Sequence, residues 1–100
     1  MSWIKEKHSW VIHTNEDKRG WFDPLDPPHE FWKREDLVNL LGESFEVVAL
    51  KGKWSGQVFV HSRSQGFSNE LADNLAMESL GRYLELRGKV LMTKESLISL

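Results

Sequence analysis

Residues 36–62 read DLVNLLGESFEVVALKGKWSGQVFVHS, and this stretch decides the fold. Leu37, Val38, Leu40 and Leu41 share one side of a helical wheel, with Leu37 and Leu41 one turn apart. Gly42 follows at once, at the position where a left-handed residue without a Cβ ends a helix. Phe45, Val47 and Ala49 then alternate with Glu46, Val48 and Leu50, the pattern of a strand with one polar exception on its second face. Lys51-Gly52-Lys53-Trp54-Ser55-Gly56 places two glycines between apolar runs, as a hairpin connection does. Gln57 to His61 returns with Val58 and Val60 on one face and Phe59 on the other. A lone hairpin is marginal in water, so the helix and further strands must cover it.

Outward from this unit the same reading supplies the rest. Ser9 to Thr14 forms a strand with Trp10 and Ile12 on one face and Val11 and His13 on the other. Residues 15–20, NEDKRG, make a polar turn, and Trp21-Phe22 starts a short return strand. The following DPLDPP, residues 23–28, is expected to forbid regular pairing and to act as a strap, since its three prolines lack the backbone donor. The first helix begins between Glu30 and Lys33 and ends at Leu41. Phe31 and Trp32 are adjacent, so only one of them can join Leu37 and Leu41 in the core. Ser62 to Gly66 is a polar loop. Ser68 is the expected N-cap of a second helix, in which Leu71, Leu75, Ala72, Ala76 and Leu80 form the apolar stripe and Gly81 the stop. Lys89 to Thr93 is the last strand, and KESLISL either adds a helical turn capped by Thr93 or frays.

The expected fold is therefore α+β. It has a small, mainly antiparallel sheet of four or five strands, with two helices packed on one face. One hundred residues suit one domain, with residues 1–29 an N-terminal strand region and proline-rich strap and residues 30–100 the helix-hairpin-helix-strand core.

Composition narrows the function more by exclusion than by assignment. The chain is 40% apolar and 28% charged with a net charge of −2, an ordinary globule without a general attraction to nucleic acid or anionic lipid. It has no cysteine, which removes disulfides, thiolate nucleophiles and zinc-thiolate sites. No apolar run approaches the ~20 residues of a membrane span. The N-terminal MSWIKEKHSW carries Glu6 and lacks the apolar core of a signal peptide, so a cytoplasmic location is expected.

Catalytic patterns are missing. Neither Ser55-Gly56 nor Ser64-Gln65-Gly66 forms a Gly-x-Ser-x-Gly elbow, and His61 near Ser62 and Ser64 is proximity along a strand rather than a triad. Asp23 and Asp26 precede prolines and read as turn formers. The glycines do not precede a helix at phosphate-loop spacing. His8, His13, His29 and His61 include no pair at helical metal spacing; His13 and His61 could meet across strands with Asp23 or Asp26. The expectation is a non-enzymatic protein without cofactor or metal.

What remains is aromatic surface. Five tryptophans, Trp3, Trp10, Trp21, Trp32 and Trp54, are many for a core of this size, and indoles outside a core anchor interfaces. Trp21, Trp32 and Trp54 are the expected protein-binding anchors, with Lys53 and Arg63 at the rim, and self-association is open to the same surface. The alternative is nucleotide or nucleic-acid binding by Lys51, Lys53, Trp54 and Arg63, cations beside a stacking ring. Arg63, Arg82 and Arg87 could likewise gather around a phosphate.

From about Asp36 to Met92 the chain resembles a family of small proteins of unknown function in bacteriophages and mobile elements, often encoded near antirestriction genes. The matching pieces are LVNLLGESFEVVAL, the returning QVFV, LADNLAMESL with Asn74 and either Ala76 or Met77, and the closing ELRGKVLM. HSRSQG stands where such proteins carry an acidic or Asn-Glu turn. The resemblance implies a phage-type accessory protein of the host-cell cytoplasm, binding a host or defence protein, and it implies no catalytic residues.

Overall fold

The computed structural model describes residues 9–62 and 66–100. In chain order these form β1 (Ser9–His13), β2 (Trp21–Pro24), β3 (Trp32–Lys33), α1 (Arg34–Leu41), β4 (Phe45–Ala49), β5 (Gln57–Ser62), α2 (Glu70–Leu80), β6 (Val90–Lys94) and β7 (Ile98–Ser99). Five strands make one sheet in the order β2-β1-β6-β5-β4, every neighbouring pair antiparallel. β3 and β7 pair separately and in parallel, Trp32 beside Ile98. The class is the α+β one expected.

The layering is different from the expected one. The register aligns Trp10, Met92, Phe59 and Val48 across four strands, and these side chains pack against Ala72 and Ala76 of α2. Val11, Leu91 and Val60 align on the opposite face and pack against Leu37 and Leu41 of α1 and against Trp32. Each face thus carries one helix, where the sequence reading put both on a single face. The cause lies in the inner strands: Gln57–Ser62 and Val90–Lys94 are apolar on both sides, and a sheet with two apolar faces needs two covers. β1 also lies inside the sheet, so the N-terminal region contributes to both cores and is no appendage to them.

Local ends follow their chemistry. The Lys33 N–H donates to Asp36 Oδ2 at 3.0 Å at the start of α1, and the Gly42 N–H closes it on Val38 O at 2.8 Å. α2 is capped by Asn69 rather than Ser68: Oδ1 accepts from the Ala72 N–H at 3.0 Å. Nδ2 donates to Ile12 O and to Gly88 O, at 2.8 and 2.7 Å, joining the helix to β1 and to the segment before β6. Serine has one hydroxyl proton and cannot satisfy both carbonyls. Asp73, one turn on, accepts the Leu84 and Leu86 N–H groups through its two oxygens. The C-terminal residues form the expected helical turn as a short 3-10 one, Glu95–Leu97, entered from Lys94 rather than Thr93, and then add β7 as a clasp on β3. Among the described residues no helix is long and apolar enough to cross a membrane.

Candidate protein-binding edge

β2 is one outer strand of the sheet, and all four of its residues are exposed. Its turn is built by Asn15, whose Oδ1 accepts the Asp17 and Arg19 N–H groups at 3.0 and 3.1 Å. Gly20 then passes so close to α2 that a Cβ there would lie 2.6 Å from Leu71 Cβ, which fixes where the return strand begins. Opposite Trp21 stands His13, and the two rings stack with centroids 5.0 Å apart and planes 13° from parallel. His13 Nε2 is 3.5 Å from Asp23 Oδ2 on the same face. The Trp21 indole is therefore held flat against the sheet edge while 47% of its surface meets solvent.

Pairing continues through the first proline, contrary to the expectation that residues 23–28 could not pair. The Leu25 N–H donates to Ser9 O at 3.1 Å, so by antiparallel alternation Trp21, Asp23 and Leu25 turn their backbone toward β1. Phe22 and Pro24 turn theirs outward, where Pro24 needs no donor. Leu25 shares the face of Trp21, Phe22 lies on the other, and both are exposed.

The other expected anchors fare differently. Trp32 is buried, at 2% exposure, and its Nε1–H donates to Ser9 Oγ at 3.2 Å while that hydroxyl meets Thr93 Oγ1 at 2.6 Å. Its assignment as a surface anchor is corrected: Phe31 is the outward member of the pair, because β3 is extended and alternation sends only Trp32 inward. Trp54 is half-buried and packs against the α2-side core, its Nε1 enclosed. The β4–β5 connection folds down onto α2. Lys51 N–H donates to Ser79 Oγ at 2.7 Å, that hydroxyl donates back to Lys51 O at 2.9 Å, and Lys53 is ion-paired with Glu78. Lys53 Nζ also lies 5.5 Å from the centre of the Trp54 ring. Arg63 lies outside the described residues. The structure thus brings Lys51, Lys53 and Trp54 together, but as a turn docked on a helix, and places Trp21 far along the sheet order from them.

A cleft of about 580 Å³ opens at the N-terminal end of α2 between Glu70, Asp73, Tyr83, Glu85 and Arg87. Three carboxylates at its wall oppose an anionic guest beside Arg87; Arg63, the first of the three arginines expected around a phosphate, lies outside the described residues. His13 and His61 point to opposite faces of the sheet, which separates that pair of potential metal ligands. Among the described residues no group of three histidine or carboxylate side chains is arranged to hold a metal ion. Burial holds the His61 imidazole below its ordinary value of 6.5, against weaker opposing pulls from a hydrogen bond at Ser62 and from Asp73. Sequence reasoning singled out Trp21, which is exposed, but missed His13 beneath it; the short turn between their strands carried that signal. No family model, curated protein or solved structure matches this chain.

Proposed function

We propose that this chain is a non-enzymatic binding protein that seats another protein against the β2 edge, with Trp21 as its anchor. The observation that supports this most directly is the indole at 47% exposure, stacked flat on His13. An aromatic already fixed in one orientation loses little freedom on binding, and such residues dominate interface energetics. Leu25 extends the apolar strip on the same face, and Asp23 between them supplies a carboxylate for specificity. The resemblance of residues 36–92 to phage and mobile-element proteins makes a host or defence protein the partner class to try first.

Nucleotide or nucleic-acid binding by Lys51, Lys53, Trp54 and Arg63 has less support. Lys53 is engaged by Glu78 and the Trp54 ring is partly withdrawn into the core.

The test is capture of host proteins on the intact chain, followed by affinity measurement with Trp21→Ala. Loss of at least about 2 kcal/mol of binding, with an unchanged melting temperature, is the expected result. Equal affinity for the variant would remove the assignment.

A further inference from the structure

β4 is the other outer strand of the sheet, and it lacks the device that blunts β2. The Leu50 N–H donates to Gln57 O at 2.9 Å, so Leu50, Val48 and Glu46 turn their backbone toward β5. The N–H and C=O groups of Phe45, Val47 and Ala49 therefore face outward. FEVVA contains no proline or lysine, two common protections of an exposed edge, and its one charge, Glu46, is turned to His61 of β5. Val47 is 41% exposed, a β-branched residue at the centre of the strand with its methyl groups in water.

We propose that β4 is the contact edge of a symmetric dimer, in which two copies pair antiparallel about Val47 and extend one sheet through both. The sequence around the strand is complementary to itself in that register. Val47 meets Val47 of the second copy, Phe45 meets Ala49, and all three outward residues of each strand exchange backbone bonds. Two residues beyond the paired strand at either end, the side chains of Glu43, in the bend after α1, and Lys51, whose backbone is held by Ser79, come beside Lys51 and Glu43 of the second copy. Both side chains are exposed, and neither has an ion-pair partner among the described residues. A parallel arrangement would set Glu43 against Glu43. Sliding the antiparallel pair by two residues would set Lys51 against Phe45 or Leu41, leave Glu43 opposite Ala49 or the Lys53 already paired with Glu78, and shorten the ladder. Opposite charges at the two ends of an unprotected strand thus select a second copy of this chain, in one register.

The consequence is bivalence. Pairing at β4 leaves β2 at both far ends of the joined sheet, so two Trp21 surfaces face outward and a repeated or dimeric partner gains from avidity. The pairing of one short strand lies below the ~1,200 Å² of a standard interface, which makes the dimer dependent on concentration.

Sedimentation equilibrium of the intact chain between about 1 µM and 1 mM tests this. A reversible monomer–dimer equilibrium is expected, with Val47→Pro monomeric throughout. That substitution takes away an outward N–H and none of the bonds to β5; because proline also fixes φ and replaces the valine side chain, its folding is checked by circular dichroism. Glu43→Lys and Lys51→Glu each weaken dimerisation about tenfold by setting like charges together twice, and combining them restores it. These two lie outside the strand and keep the test readable should the proline variant fold poorly. Trp21→Ala leaves the dimer constant unchanged. A monomer over the whole range, a dimer that persists in folded Val47→Pro, or no recovery in the charge-swapped double variant would overturn the proposal.

Discussion

The two edges of this sheet solve the same problem in opposite ways. An outer strand exposes a row of backbone donors and acceptors that invites further strands. β2 closes that invitation with Pro24 on its outward side and offers side chains instead: Trp21, Phe22 and Leu25. β4 offers modest side chains and leaves its backbone row open. The lesson is that exposed apolar surface alone does not define an interface mode. Recognition by side chains belongs where the ladder is stopped, and strand pairing where it is not.

Each edge rests on α2, and the strength of that support differs. On the β2 side the tie is Asn69, fully buried, whose amide spans Ile12 O and Gly88 O. Asn69→Ala loses the helix cap and strands two carbonyls, a cost of about 3 kcal/mol, read as a fall of roughly 15 °C in melting temperature. On the β4 side the tie is Ser79, whose hydroxyl and Lys51 backbone are exposed and can turn to water. Ser79→Ala is expected to cost at most about 1 kcal/mol. Equal losses in thermal melts of the two variants would break the distinction between a pinned half and a looser one.

A smaller effect sharpens the account of the β4 half. His61 pairs with Glu46 of β4 on the α2 face, its side chain 12% exposed and its imidazole held below 6.5 mainly by burial. Below pH 6.5 the unfolded chain binds a proton that the folded chain resists, so unfolding is favoured as pH falls from 6.5 toward the depressed folded value. Above 6.5 both states are neutral at this site and the contribution vanishes. Urea melts across this interval should show falling stability on acidification, and His61→Gln should flatten that slope. A slope unaltered by the substitution would mean that His61 is not its source.

Much of the fold was legible in local pattern, and its exceptions are instructive. Gly42 and Gly81 mark both helix ends, and alternation gave β1, β4, β5 and β6, because these signals depend on neighbours in sequence. The split of helices between faces depends on how strands order in space. It was foreshadowed only by the double-sided apolarity of Gln57–Ser62 and Val90–Lys94. Trp32 was misread because its cover, Ile98 and the Ser9 hydroxyl, lies far off in the chain. Ser68 and Asn69 are equally good caps locally. Two distant carbonyls, each needing a donor, decide for asparagine. Trp21 could be singled out because a surplus of indoles is visible in composition, whereas the charges at Glu43 and Lys51 bear on the proposed pairing only once β4 is known to be an edge.

Amide hydrogen exchange at Val47 and Phe22, followed as the protein concentration is raised, tests the contrast between the edges most directly. Both N–H groups point away from the sheet in one copy of the chain. Val47 and its outward neighbours Phe45 and Ala49 should become protected as concentration rises, while Phe22 exchanges fast throughout. Protection that stays absent at Val47, or that appears at Phe22 instead, would contradict the assignment of one edge to self-pairing and the other to a foreign partner.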